Sequence, residues 1–217
     1  MRVLCCFYLF FCPRYLLSEK IGRYLVVDTE TTGLHPARHG LIELAAAALD
    51  GQLMLLDTFQ VDVCPPEGVE FDPEALQING FTMERIRAGV SYRMACEQFL
   101  NFMSKNFSAE PIVIGQFYPF DYAFLEQLFS ASGYRDGLAA AIKGNAIIDT
   151  KALANSINAR ALLKGRPAPF PVTSLSKPGG LKELFGITAY QAHSALGDVL
   201  ATREVLIKLL ECNLSGV

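Results

Sequence analysis

Apolar and polar residues change their period along the chain, and the changes mark out its elements. Tyr24-Leu25-Val26-Val27 is a short apolar run that stops at an acid, which predicts a strand over residues 24–28. Residues 41–49 are apolar around the single acid Glu43, and residues 54–63 are rich in strand formers. Asp50-Gly51 between them is a hairpin signal, so the first three strands are predicted to be antiparallel neighbours. Pro65-Pro66-Glu67-Gly68 then interrupts regular structure. Asp72-Pro73 predicts a helix start, with Asp72 as the cap and Pro73 in the first turn. Ile78-Asn79-Gly80 ends that helix, and Thr82 caps a further turn with Arg85 three residues on.

From there the period lengthens. Phe99, Leu100, Met103 and Phe107 recur at helical spacing and predict a helix over residues 92–107. A fully apolar strand at 111–115, a helix at 119–131, a strand at 146–148 and a helix opening at Asp149-Thr150 follow in alternation. Residues 164–180 hold four prolines and three glycines and read as a loop. The last helix takes its apolar face from Leu196, Val199, Leu200, Ile207 and Leu210, with Leu206 broadening it and Asp198 beside the stripe. Strands alternating with helices predict an α/β domain, a partly parallel sheet covered by helices.

Composition narrows the class. A chain of 217 residues, 51% hydrophobic and 19% charged, suits one large domain with a sizeable core and excludes a disordered chain. The 19 Lys and Arg against 22 Asp and Glu give a net charge of −3, which argues against a broad basic surface for duplex nucleic acid. It leaves room for a strand end held in a cleft where metal ions supply the positive charge. The six cysteines form no paired CxxC motif, so they predict free thiols in a reducing, cytoplasmic setting rather than a zinc site or a disulfide framework. Arg2 and the apolar residues after it resemble a weak secretory leader, which leaves export as the lesser alternative. Pro13 and Arg14 interrupt the run too early for a membrane span. Residues 1–20 are therefore read as an apolar extension, and 21–217 as the domain.

Three clusters, holding four acids and a histidine, carry the candidate chemistry. Asp28 and Glu30 are spaced i and i+2 at a strand end, so both side chains point to one face. Asp121 follows a buried strand, where open sheets often place a site; Phe120 and Phe124 anchor its helix. His193 stands five residues before Asp198 at the opening of the last helix, and histidine is the side chain suited to take a proton near neutral pH. Each alone also fits an ordinary role: a strand-end acid, a first-turn acid, a cap. Four carboxylates in one site repel one another unless cations join them. Two divalent ions would neutralise them and serve phosphodiester hydrolysis, with His193 taking the proton of the attacking water.

The motifs Asp28-x-Glu30-Thr31-Thr32-Gly33, Phe120-Asp121 and His193 with Asp198, in that order, closely resemble those of the DnaQ-like DEDDh 3′–5′ exonucleases. That family includes bacterial proofreading subunits and ribonuclease T, and the resemblance covers about residues 22–214. It also takes in Ile78-Asn79-Gly80-Phe81 and Ile148-Asp149-Thr150. The resemblance implies a ribonuclease H-like fold with a five-stranded mixed sheet flanked by helices. It implies two Mg2+ ions, with Mn2+ able to substitute. Asp28, Glu30 and Asp198 would hold the tighter ion, Asp28 and Asp121 the second, and His193 would be the general base. It further implies that Thr31, Leu34 and Phe120 contact the terminal nucleotide. Where the family commonly has His-Asn before the second acid, this chain has Gln116 and Phe117. Gln116 keeps an amide for substrate, whereas Phe117 offers only apolar area or stacking.

The implied activity is metal-dependent removal of nucleotides from the 3′ end of single-stranded or frayed DNA or RNA, releasing nucleoside 5′-monophosphates. The implied partners are that strand and a polymerase or repair protein. Two alternatives stand beside it: an RNA-processing or short-oligonucleotide exonuclease, and a non-catalytic module that binds nucleic acid or a polymerase.

Overall fold

A computed structural model describes residues 22–142, 146–190 and 194–214; the apolar extension read over residues 1–20 lies outside them. The first three strands, β1 (Tyr24–Thr31), β2 (Leu41–Leu49) and β3 (Leu55–Cys64), form an antiparallel meander, as the hairpin signal predicts. Asp50 closes the β2–β3 turn by accepting from the backbone N–H groups of Gln52 (2.8 Å) and Met54 (2.9 Å). Two short helices follow, α1 (Pro73–Asn79) and α2 (Met83–Ala88), then β4 (Val90–Ser91) and α3 (Tyr92–Asn106). β5 (Ile112–Gly115) pairs parallel to β1, and β6 (Ile147–Asp149) pairs parallel to β5. The mixed sheet has the order β4-β3-β2-β1-β5-β6. It holds one strand more than the five expected, because the two-residue β4 pairs with the end of β3 and is too short to carry a period.

The helix starts read at Asp72, Thr82 and Asp149 are caps in use, and Ser91, not singled out in the sequence, is a fourth. The side chains of Asp72, Thr82, Ser91 and Asp149 accept from backbone N–H groups at the starts of α1, α2, α3 and α6 (Thr150–Leu163). Gly80 ends α1 at φ 71°, a left-handed conformation open to glycine without strain. Two helices went unpredicted. α5 (Arg135–Ala141) carries Gly137 in its interior, and α7 (Leu181–Leu184) is a single turn directly after the Pro/Gly loop.

Helices cover both faces of the sheet. Leu25 and Val27 of β1 face a core shared with α3 and α4 (Tyr118–Ala131), built around Phe99, Phe124, Leu128 and Phe129. Val26, one residue out of phase, faces the opposite core with α8 (Ala195–Leu214). β2 is buried on both faces, and Ala45–Ala48 on it let helices approach closely.

That close approach sets the rotation of α8. Its buried residues are Ala195, Asp198, Val199, Ala201, Thr202, Val205, Leu206 and Leu209, while Leu210 is exposed and Leu196, Leu200 and Ile207 are half-buried. Val199 and Leu206 of the expected face are buried, but Ala195, Ala201 and Thr202 share the inward stripe in place of Leu196, Leu200, Ile207 and Leu210, so Asp198 lies on the stripe rather than beside it. Among the described residues no helix is long and apolar enough to cross a membrane.

Candidate metal centre

β1 is the organising element because its two faces do different work. Asp28 and Glu30 follow Val26 onto the face toward α8, and Thr29 follows Val27 onto the face toward α4. The β1–β2 register shifts between Glu30 and Thr31, and this irregularity ends regular pairing at the acids. α8 brings Asp198 to the same face in its first turn. Carboxylate oxygens of Asp28, Glu30 and Asp198 lie within 4.8 Å of one another.

Asp121 arrives from the other layer. It sits in the first turn of α4, and its Oδ1 accepts from the Thr29 backbone N–H (2.9 Å) and hydroxyl (2.8 Å). Three of the four predicted acids thus form one cluster, and the fourth is fastened to the strand between two of them. His193 lies outside the described residues.

The acids are held at a cost. Burial, then the charges of Asp121, Asp198, Glu30 and Glu43, push the Asp28 carboxyl well above its ordinary range. Burial first, then Asp198, Glu43 and Asp121, push Glu30 up to about 8, against a small opposing pull from Arg85. Burial pushes Asp121 up to about 7, outweighing the two Thr29 hydrogen bonds that favour its charged form. Closely placed, desolvated oxygen donors that resist ionising alone are the donor set a hard divalent cation fits, and its charge reverses that resistance.

The remaining predicted residues are spread around the cluster. The Thr31 hydroxyl donates to the Gly33 carbonyl (2.8 Å), and Asn79 Nδ2 donates to the Thr31 carbonyl (3.1 Å), tying the Ile78–Phe81 stretch to the end of β1. Leu34 is 68% exposed on the bend after Gly33. Phe120 is half-buried with its ring 5.0 Å from that of Phe124. Gln116 is already engaged: its Nε2 donates to the Thr173 carbonyl (2.8 Å) and its Oε1 accepts from the Thr150 hydroxyl. Its amide links the end of β5, the start of α6 and the Pro/Gly loop.

Three residues of the site went unrecognised in the sequence. Glu43 is fully buried on β2 directly opposite Glu30. Its Oε1 accepts from Gln60 Nε2 (2.7 Å) and Arg85 Nη2 (2.8 Å), and its Oε2 accepts from the Ala195 backbone N–H (2.8 Å). Glu43 therefore anchors the end of α8 that carries Asp198. A lone acid in an otherwise apolar buried strand was the available signal, since such a carboxylate persists only when paired. Thr29 was hidden between the two acids. Lys182, 9% exposed, places Nζ 3.4 Å from Asp198 Oδ1, which also lies 3.4 Å from the Ser176 hydroxyl. Lys182 follows the irregular loop and had no periodic signal.

Comparison with known proteins matches this arrangement to one group. A family model described as "Exonuclease", that of ribonuclease T, matches residues 25–206. Ribonuclease T of Yersinia enterocolitica is 28% identical over 212 residues, covering 89% of this chain and 88% of that enzyme. The PolC-type DNA polymerase III of Thermotoga petrophila is 29% identical over 198 residues, covering 91% of this chain but only 12% of the polymerase. In fold, the chain is similar to exonuclease I of Escherichia coli in complex with a dA16 oligonucleotide: TM-score 0.66, 22% identity, 87% of this chain and 40% of that one. Exonuclease I of Methylocaldum szegediense gives a TM-score of 0.69 at 20% identity over 89% of this chain and 41% of that one. The match runs from β1 through most of α8 and so takes in Asp28, Glu30, Asp121 and Asp198; the chain belongs to the ribonuclease T exonuclease family, within the DnaQ-like DEDDh superfamily.

Proposed function

We propose that this protein is a metal-dependent 3′–5′ exonuclease that removes nucleotides one at a time from a single-stranded or frayed end. The observation that carries the proposal is the cluster of half-buried Asp28 and Glu30 with buried Asp198, whose oxygens lie within 4.8 Å, the ionisation of Asp28 and Glu30 being opposed by desolvation and by the neighbouring acids. Bound there, two Mg2+ or Mn2+ ions would supply charge stabilisation for the attacking and departing oxygens of a phosphodiester.

The chain's own residues do the rest. Asp28, Glu30 and Asp198 would hold the tighter ion, and Asp121, oriented by Thr29, would help hold the second together with Asp28. His193 takes a proton from water as the water oxygen bonds to the terminal phosphorus. The bond from phosphorus to the upstream 3′ oxygen breaks, that oxygen is protonated, and a nucleoside 5′-monophosphate leaves. Thr31, Leu34 and Phe120 contact the terminal nucleotide, while Gln116, its amide engaged by Thr173 and Thr150, contributes to substrate binding by fixing the loop after β5. The domain is assigned to residues 21–217 and a cytoplasmic setting, with a polymerase or repair protein as partner.

The 88% coverage of ribonuclease T supports a second version, in which the strand is RNA. End-labelled single-stranded DNA and RNA of the same sequence, each with Mg2+ or Mn2+, test both. Stepwise shortening from the 3′ end, suppressed in Asp28→Asn and His193→Ala, is expected. Absence of metal-dependent shortening with either strand would overturn the proposal.

A further inference from the structure

Phe117 combines two features that folding alone does not favour. Its backbone is left-handed, φ 64° and ψ 47°, and the residue is 52% exposed. A bulky non-glycine residue rarely adopts this conformation, and strain of this kind gathers at functional sites. Among the described residues the other such residue, Leu53 at φ 61°, lies in the β2–β3 turn that Asp50 closes. Phe117 has no comparable return, because the strained corner directs an aromatic ring outward rather than into a core.

The corner is also rigidly built. The Tyr118 backbone N–H donates to Asp149 Oδ2 (2.9 Å), while Asp149 Oδ1 caps α6 (2.9 Å). Gln116 is pinned by Thr150 and Thr173. On α6, Lys151 lays its Nζ 4.5 Å from the centre of the Phe117 ring. Beside the pair lies a cleft of about 420 Å³ lined by Phe117, Pro119, Ile147, Lys151 and Asn155. A rigid exposed ring beside a cation is what an unpaired base and its phosphate require: stacking from the first and charge from the second.

Its position assigns the occupant. β1, β5 and β6 run parallel, so their C-terminal ends share one edge of the sheet. Phe117 follows the end of β5 and packs with Lys151 from the start of α6, while the acids stand at the end of β1. At about 4.8 Å per strand, the platform lies about 5–10 Å to the side of the cluster. A 3′-end nuclease has a single nucleotide beyond the scissile bond, so what lies to the side is met by the strand leading to it.

We propose that Phe117 and Lys151 form a stacking platform for a base and phosphate of the single strand upstream of the scissile bond. This rests on the exonuclease reading, and the test separates the two. Full-length wild type, Phe117→Asn, Phe117→Tyr and Lys151→Met are compared on oligothymidylates from two to ten nucleotides. Readouts are hydrolysis with Mg2+ and fluorescence anisotropy with Ca2+. Asparagine tolerates the left-handed corner without the ring, and tyrosine restores the ring.

Stacking one base on a ring is worth about 5- to 150-fold in binding. Phe117→Asn should weaken ten-nucleotide binding and raise its KM by that factor, with the smallest effect on the dinucleotide and wild-type values in Phe117→Tyr. Lys151→Met should flatten the slope of log K against log salt by about 0.7. Equal losses at every length, or none at ten nucleotides, would overturn the platform. Length-dependent binding loss with no hydrolysis by wild type would sustain the platform and overturn the exonuclease reading.

Discussion

Replacing Glu30 by glutamine should stabilise the metal-free protein above neutral pH, although it removes a residue of the proposed centre. In the folded chain Glu30 keeps its proton up to about pH 8, whereas its ordinary value is 4.5. Its folded pKa is raised, so the proton's contribution to stability is fully present below pH 4.5 and is lost as pH rises through 8. At 1.36 kcal/mol per pKa unit, that interval corresponds to about 4–5 kcal/mol lost by pH 8.5. Glutamine removes the charge but leaves a buried amide without its ideal partners, a penalty of about 1–3 kcal/mol.

The net gain for Glu30→Gln at pH 8.5 is then about 1–4 kcal/mol, or about 2–16 °C in Tm for a domain of this size. Thermal unfolding followed by circular dichroism in EDTA, from pH 5 to 9, measures it. The wild-type Tm should fall more steeply with pH than the variant's, and the two curves should cross. Adding Mg2+ at about 100 times its Kd should return about 2.7 kcal/mol to wild type and little to the variant. Parallel curves in EDTA, or a variant that stays below wild type at pH 8.5, would refute the reasoning that repulsion and burial strain this carboxyl.

Two further outcomes concern the frame. Arg85→Met leaves Glu43 fully buried without its guanidinium and should lower the urea midpoint by about 2–3 kcal/mol of stability, whereas Arg38→Met, at the exposed pair with Glu70, should leave the midpoint unmoved. The Tyr118 hydroxyl is buried with no hydrogen-bond partner among the described residues, so Tyr118→Phe should raise stability by about 1 kcal/mol in the same titration; a loss would reveal a partner for the hydroxyl.

The long elements were legible from different signals: β2 from its apolar run, α3 from its helical period and α6 from the cap at Asp149. The helix starts at Asp72, Thr82 and Asp149 could be read because a short polar side chain before an apolar run has few other uses. The rotation of α8 could not be read. Hydrophobicity ranks Leu210 above Ala195, but the alanines of β2 determine which of them touches the sheet. Asp28 and Glu30 were legible as a pair through strand parity. The separate approach of Asp121 was not, because it depends on Thr29, whose neighbours drew attention away from it. Glu43 was visible as an oddity, yet its role depends on Ala195, 152 residues away, and no local pattern records that contact.

The alternation along β1 has a consequence for how this protein can change. Val26, Asp28 and Glu30 face one layer while Val27 and Thr29 face the other, so a single-residue insertion or deletion within β1 would exchange the two sets at once. The acids would turn into the aromatic core under α3 and α4, and the threonine that holds Asp121 would turn toward α8. Substitutions around the centre can be tried one at a time, but changes in the length of β1 cannot. Length variation is admissible only past the register shift at Thr31, in the bend that carries Leu34. Related chains with altered substrate range should therefore differ in that bend and at corners such as Phe117, with β1 kept at constant length.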